Sequence, residues 1–480
     1  MRVEGPDTPA GGGRAKPPRL RVAIVTLDAH FAAALGRVRR KLAQEAPGLE
    51  VSLHAAAEWA ESPEALGAAK AAVADADIVL CAMLFIDDHI RAIMPELEAR
   101  RARCDALVAI VSAPEVVKLT RAGRLDMGAP EKGVISLLKR LRGKRGGEQG
   151  ASSSSGAGQM AMLRRIPKIL RYIPGTAQDL RAYFLAMQYW LSGSDENLAS
   201  LIAMLVDRYA AGPRASWRGR LRIDPPVDYP ETGLYHPAMP GRVSEDAATL
   251  PRPPSPKGTV GLIILRSYVL AKDTGHYDGA IAALEAQGLR VIPAFAAGLD
   301  ARPAIERYFM EDGEPAVDTV ISLTGFSLVG GPAYNDAKAA EEILAKLDVP
   351  YIGAHALEFQ SLEQWGGSAR GLQPVENTIM VAIPELDGAT NPIVFGGRSD
   401  GAGLPCQGCN QHCIFEAGAA RDMHACTERT QRLAARAARL VALRKRSLAE
   451  RKLAIVLFNF PPNAGATGSA AYLAVWESLL

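Results

Sequence analysis

Apolar residues recur along this chain in two alternating patterns. Arg21–Leu27 (RVAIVTL), Leu49–Leu53, Asp77–Leu84 (DIVLCAML) and Ala106–Ser112 (ALVAIVS) are nearly continuous β-branched or aliphatic runs. Such runs predict strands buried on both faces, because a strand with one wet face would alternate apolar and polar positions. Helix-period stretches lie between them, at Phe31–Ala46 and Pro63–Ala74. Strands alternating with helices predict a parallel, doubly wound sheet, so residues 20–145 read as a flavodoxin-like or Rossmann-like α/β domain.

The pattern then breaks. Residues 139–158 (KRLRGKRGGEQGASSSSGAG) are basic and then Gly/Ser-rich, and residues 146–159 read as a flexible linker. From Met160 to residue 221 the chain reads as helical. Leu163, Ile166, Ile169, Leu170 and Ile173 share one face, with Arg164, Arg165, Lys168 and Arg171 between them. A basic amphipathic segment of this kind lies on a membrane surface or packs on its own domain. Two further helices are expected over Ala177–Ser192 and Asp195–Tyr209, the latter with Ser194 as N-cap. Residues 222–258, with Pro225-Pro226 and Pro253-Pro254, read as an extended connector.

A second α/β unit is expected over 259–400. Its strands are Thr259–Leu265, Arg290–Ala294, Asp318–Leu323 and Val349–Ile352, and its helices Tyr277–Gln287, Ala301–Met310 and Asp336–Leu347. Residues 401–427 read as a Cys-rich loop and 428–451 as a helix. Leu453–Phe458 reads as a third buried strand, followed by a turn and a helix over Ala470–Leu480. Residues 452–480 would then be only the start of a further α/β domain, and the chain a fragment. The fold class expected is multi-domain α/β, several doubly wound parallel-sheet units with a helical segment between them.

Composition narrows the function classes. Of 480 residues, 48% are hydrophobic and 22% charged, which suits a globular protein, and 480 residues suit two to four domains. A net charge of +3 is too small to point to nucleic acid. No apolar run reaches the ~20 residues that span a bilayer, so no transmembrane segment is expected. Residues 1–19 are Gly/Pro-rich without an apolar core, which reads as a disordered leader and a cytoplasmic address. In that compartment six cysteines suit thiols or metal ligands.

Three clusters carry candidate chemistry. Cys406, Cys409, Cys413 and Cys426 sit in loop-forming sequence and can close a Zn²⁺ site or hold an iron–sulfur cluster, with His412 or His424 as substitutes; otherwise they are reduced thiols or a disulfide. Soft thiolates do not suit Mg²⁺. His276, with Asp273 and Asp278, lies between a strand and a helix, where open α/β sheets bind ligands, and reads either as a base or as a capped, structural cluster. The stretch LTGFSLVGGPAYND (323–336) is a second strand-end loop in which Gly325, Gly330 and Gly331 permit tight turns beside Tyr334 and Asn335. Glu376 and Glu385 read as metal-delivering or capping carboxylates. Trp190, Trp217 and Trp365 read as core or as stacking platforms, and Cys81 as an inert core thiol. No G-x-x-x-x-G-K-[ST] loop is present.

Several long stretches, in order, resemble one family. They are VVKLTRAGRLDM (116–127), IPKILRYIPGTAQDLRAYFLAMQYWLSGSDENL (166–198), RSYVLAKDTGHYDGAIAALEAQGLRVIPAFAAGLDARPAI (266–305), SLTGFSLVGGPAYNDAKAAEEILAKLDVPY (322–351), VAIPELDGATNPIVFGGR (381–398) and IVLFNFPPNAGATG (455–468). They are similar to the porphyrin-binding H subunits of magnesium chelatases, in the CobN/magnesium chelatase family, of the type found in bacteriochlorophyll-making bacteria. Large cobalt chelatase subunits share the second half of the pattern, whereas 20–145 and 166–198 favour the magnesium enzyme.

The resemblance implies a function. Protoporphyrin IX and Mg²⁺ would be substrates in (bacterio)chlorophyll biosynthesis, and ATP would be used by an AAA+ ATPase subunit acting with a second accessory subunit. Gly325, Gly330, Gly331, Tyr334, Asn335 and Glu376 would then line a porphyrin cavity. Family members are much longer, and most of their proposed catalytic groups lie beyond the stretch present here. The chain alone would be inactive, or a tetrapyrrole-binding or scaffold module.

Overall fold

The computed structural model describes residues 18–27, 32–59, 62–129, 165–330, 335–415, 422–457, 459 and 474–479. The leader up to residue 17, the linker at 146–159, Gly331, Tyr334 and the turn at 460–469 lie outside the described residues.

Two sheets organise the chain. The first has the order β2-β1-β3-β4-β5-β6. Its strands are β1 (Leu20–Thr26), β2 (Leu49–Ala55), β3 (Ile78–Ala82), β4 (Ala106–Ile110), β5 (Arg121–Ala122) and β6 (Leu125–Asp126). The first four are parallel, as the continuous apolar runs predict, and β5 and β6 add an antiparallel edge. Helix α1 (Ala32–Glu45) covers one face of the sheet, and α2 (Pro63–Asp75) and α3 (Asp87–Arg101) cover the other. Helix α3 is not among the helices expected from the periodicity, and it carries Pro95 in its interior. Ile90, Ile93 and Leu97 are nonetheless spaced to bury one stripe.

The helical segment is not a separate unit. Helices α4 (Thr176–Ser192) and α5 (Asp195–Tyr209) join α1 on the open face of the first sheet. A parallel sheet needs both faces covered, and α1 alone is too narrow for four strands. Trp190 (1% exposed) and Trp217 (2%) fill this core, so both are packing residues and not platforms for a ligand. The Trp217 Nε1–H donates to the Pro18 carbonyl at 2.7 Å. Ser194 caps α5 as expected, its hydroxyl accepting from the Asn197 N–H.

The second sheet has eight strands, in the order β16-β15-β14-β13-β9-β10-β7-β8. Strands β9 (Thr259–Ile263), β10 (Arg290–Ala296), β13 (Thr319–Ser322), β14 (Tyr351–Leu357) and β15 (Thr390–Arg398) are parallel. The Pro-rich connector is a correction: it contributes β7 (Thr232–Tyr235) and β8 (Val243–Ser244), an antiparallel edge beside β10. The Cys-rich loop is another, since it closes with β16 (Met423–Ala425), antiparallel to β15. A hairpin of β11 (Met310–Glu311) and β12 (Glu314–Pro315) stands apart.

Helices α6 (Arg266–Leu270) and α7 (Gly275–Ala286) follow β9, and α8 (Arg302–Tyr308) and α9 (Ala337–Leu347) cover the opposite face. The long Arg/Ala-rich helix α10 (Thr427–Lys445) packs beside α7 in the core of this unit. Among the described residues the expected third buried strand is not formed. Residues 451–457 have no regular structure, residues 451–456 are exposed, with Leu453 at 86% and Val456 at 92%, and no described strand lies beside them. A strand without a neighbour has no partners for its backbone N–H and C=O groups. Of the final helix, Val475–Leu479 is formed among the described residues.

Arg37 of α1 joins the units. Its guanidinium holds Asp195, at the start of α5, through two 2.8 Å bonds, and also donates to the Ala271 carbonyl just past α6. This fork-to-carboxylate geometry fixes direction as well as distance.

Candidate functional site

The carboxyl ends of the second sheet's strands are where an open α/β sheet binds ligands. The strand order reverses at β9, which has β10 on one side and β13 on the other. The crevice there is walled by Leu265, Gly298, Asp300, Thr324 and Phe326 and holds only about 20 Å³. That is room for about one water molecule. A recess of about 930 Å³ lies elsewhere: along the β2 edge of the first sheet, walled by Arg19, Arg21, Arg39, Arg40, Glu50 and Asp75. Its charges are already matched in part, Arg19 with Glu50 and Arg21 with Asp75, and it contains none of the polar residues described next.

Those polar residues gather where β15 ends against α6 and α7. Gly275 and Gly279 let α7 lie directly on β16: a Cβ at Gly275 would stand 2.5 Å from the Met423 carbonyl, and one at Gly279 would overlap Ala425. This close approach presses His276 into the sheet. His276 is 0% exposed and boxed by Tyr277, Tyr268 and Phe395, with ring centroids at 3.8, 5.0 and 6.0 Å. Neither ring nitrogen has a hydrogen-bond partner. Burial, then Arg398 and His424, hold its pKa well below the ordinary value, so the ring is neutral at physiological pH.

Asp273 is buried beside it. One carboxylate oxygen accepts the Met423 N–H at 2.8 Å, and the other has no partner. Burial raises its pKa to about 6, with the Met423 bond and Arg398 pulling the other way. Arg398, the last residue of β15, lies 3.4 Å from the Tyr268 hydroxyl. Its guanidinium stays charged in spite of burial because Tyr268, Glu358 and Asp273 surround it. Tyr268 also hydrogen-bonds Glu358.

The sequence grouped Asp278 with His276 and Asp273, but the structure separates it. Asp278 accepts the Tyr235 hydroxyl at 2.5 Å, with Thr274 alongside, and so ties α7 to the β7 edge. Arg398, Glu358 and Tyr268, which are not among the expected site residues, take its place in the cluster. An arginine that closes an apolar strand (VFGGR) was the available signal.

The glycine loop after β13 behaves as expected where it is described. Gly325 (φ +74°) and Gly330 (φ +112°) both need the left-handed region. Asn335 is half-buried, and its amide nitrogen has no partner. Glu376 is 0% exposed and caps its own helical turn, accepting from the Gln373 N–H at 3.0 Å and from the Gln360 side chain. A six-residue π-helix, Asn377–Ala382, follows it, and Met380 from that turn packs at 3.7 Å from where a Gly325 Cβ would be. π-Turns are frequent at functional sites. Glu385 is exposed.

The four cysteines are neighbours. Cys409 lies beside both Cys413 and Cys426, while the Cys406 thiol donates to the Leu362 carbonyl at 3.3 Å. Burial pushes the Cys426 thiol up to about 12 and raises Cys406 and Cys413. Among the described residues, no group of three His, Cys, Asp or Glu side chains is placed to hold a metal ion. The structure thus gives no support to the expected zinc or iron–sulfur centre, because Cys406 turns toward Leu362. His412 is exposed, and His424 packs its ring on Phe415 at 4.7 Å. Trp365 is half-buried under the Arg429 guanidinium, 4.4 Å from the ring. Cys81 is a core thiol as expected, 0% exposed and pushed up to about 12 by burial.

Comparison with known proteins divides the chain inside α4. Residues 21–184 match a family model described as a domain of unknown function, and residues 187–480 match one described as CobN/Magnesium Chelatase. The magnesium-chelatase H subunit of Cereibacter sphaeroides is 55% identical over 97% of this chain and 39% of its own length. The chloroplastic magnesium-chelatase ChlH subunit of Oryza sativa subsp. indica is 34% identical over 96% of this chain and 33% of its own. The aerobic cobaltochelatase CobN subunit of a Sinorhizobium species is 28% identical over 45% of this chain and 16% of its own. The chain therefore spans well under half the length of these relatives. No described helix is long and apolar enough to cross a membrane. With the second family model covering more than half of its residues, this chain belongs to the CobN/magnesium chelatase family.

Proposed function

We propose that this chain is part of the porphyrin-binding H subunit of a magnesium chelatase, which inserts Mg²⁺ into protoporphyrin IX on the way to (bacterio)chlorophyll. The observation that carries the reading is the 55% identity to a magnesium-chelatase H subunit across 97% of the chain. The cobalt reading rests on a weaker and shorter likeness, 28% over 45%. ATP hydrolysis is assigned to partners, an AAA+ subunit and a second accessory subunit, since this sequence carries no P-loop.

Within that reading, Gly325, Gly330, Asn335 and Glu376 form part of a porphyrin cavity wall. Two left-handed glycines at strand ends and an amide without a partner support it. The 20 Å³ crevice supports a wall and not a complete pocket. His276 is enclosed in this conformation, so we assign it to shaping the cluster around Asp273 and Arg398 and not to touching the substrate. Titrating the chain with protoporphyrin IX, with a corrin precursor as control, tests the proposal. Saturable tryptophan quenching with a shifted porphyrin absorption band is expected. No binding by a folded chain would move the porphyrin site off these residues.

The thiol quartet belongs to the proposal as a soft-metal or cluster site. Its support is donor chemistry alone: four thiols from two segments, two of them meeting at Cys409. Metal analysis of chain purified under reducing, anaerobic conditions should find zinc or iron. It should also find that Cys409→Ser lowers the content and exposes the remaining thiols to alkylation. Metal-free protein with freely alkylated thiols would remove this part.

A further inference from the structure

We infer that the surface formed by Arg165, Lys168, Ile169, Arg171, Tyr172 and Ile173 docks on an anionic lipid surface. Residues 165–170 are helical, and Ile166 (5% exposed) and Leu170 (0%) bury one side in the core of the first unit. The other side is bare. Ile169 is 52% exposed, Tyr172 82% and Ile173 38%, and the three cations among them are exposed as well. Single exposed apolar residues are ordinary. Three within five positions, interleaved with cations, are not.

The display is rigid. The Gln178 side-chain amide donates to the carbonyls of Leu170, Arg171 and Ile173 at 2.8, 3.1 and 2.6 Å, which locks the turn that presents Tyr172. Arg181 adds a bond to the Pro167 carbonyl at 3.2 Å. The apolar side chains are thus held outward by a pre-formed turn, and little ordering entropy opposes their insertion.

The charge identifies the partner. Residues 149–178 contain no Asp or Glu. The next carboxylate, Asp179, turns inward to the Arg124 N–H and the Arg208 guanidinium. Cations with no carboxylate among them suit a uniformly anionic plane, with the aromatic ring at headgroup depth. A stable protein interface engages about 20–30 residues a side, far more than this turn offers. The docking is peripheral, since no described helix can span a bilayer.

Co-sedimentation with phosphatidylcholine vesicles, with and without phosphatidylglycerol, tests this. The 480-residue chain should bind the anionic vesicles, release with rising salt, and ignore pure phosphatidylcholine. At about fivefold per cation, Lys168→Gln with Arg171→Gln should lower partitioning about 25-fold. Ile169→Ser with Tyr172→Ser and Ile173→Ser should lower it about tenfold or more. All five sites are exposed, so circular dichroism melts should match the parent. Failure of the parent chain to bind, or equal binding by both variants, would overturn the inference. So would self-association through the patch without vesicle binding, which would make it an interface between copies.

Discussion

Arg398→Met should destabilise the second α/β unit by about 3–5 kcal/mol, the usual consequence of leaving buried carboxylates without their cation. Methionine fills much of the same volume, so the loss reports charge more than a cavity. Asp273, with one oxygen already lacking a partner, would lose the cation that opposes the rise in its pKa. Glu358, also raised by burial and held down by Arg398, would follow. A carboxyl whose folded pKa lies above its unfolded value stabilises the fold when protonated, and that stability is lost as pH rises through the folded pKa. The loss in the variant should therefore be larger at pH 8 than at pH 5. Urea denaturation at the two pH values checks this. A loss below 1 kcal/mol, or one independent of pH, would mean that Arg398 does not hold these groups.

Mild acid should cost this fold about 3 kcal/mol between pH 6.5 and pH 4.5. His355 lies in β14, 2% exposed, and burial lowers its pKa to about 4. Neither of its ring nitrogens has a partner. His276 is lowered in the same direction, also by burial. Below their unfolded pKa of about 6.5 these rings take up protons only in the unfolded chain, so each removes about 1.4 kcal/mol of stability per pH unit. Asp273 works the other way: raised to about 6, it binds a proton in the folded state first and offsets one histidine between pH 6 and pH 4. Two histidines against one carboxyl leave a net loss. His355→Leu should remove about two-thirds of the slope near pH 6.2 and nearly all of it near pH 5. Melting temperatures that stay flat from pH 7 to 4.5, or a slope unchanged in the variant, would contradict the burial of neutral imidazoles.

These two groups show what kind of information each level held. A histidine inside the apolar run YIGAHAL and an arginine closing VFGGR are visible in the sequence. Only the packing of α6, α7 and β15 shows that Arg398 faces Asp273 and Glu358, while Asp278, five residues from Asp273, ties α7 to Tyr235 instead. Asp273 lies before α7 begins and Asp278 within its first turn, so the two side chains meet different neighbours.

The parallel strands and most helices were legible in the order of residues alone, because continuous apolar runs, helical periodicity and caps such as Ser194 are local signals. So was the family resemblance. Contacts between distant segments settled the rest. They placed α4 and α5 on the first sheet, because a parallel sheet leaves a second face to be covered. They turned the proline-rich connector into strands β7 and β8, since an edge strand tolerates composition that a central one would not. Among the described residues they left Leu453–Leu457 without a paired strand, because an apolar run becomes a strand only beside another. They also enclosed His276 and turned Cys406 toward Leu362, because the space around a side chain is set by segments far apart in sequence that meet only when the chain folds.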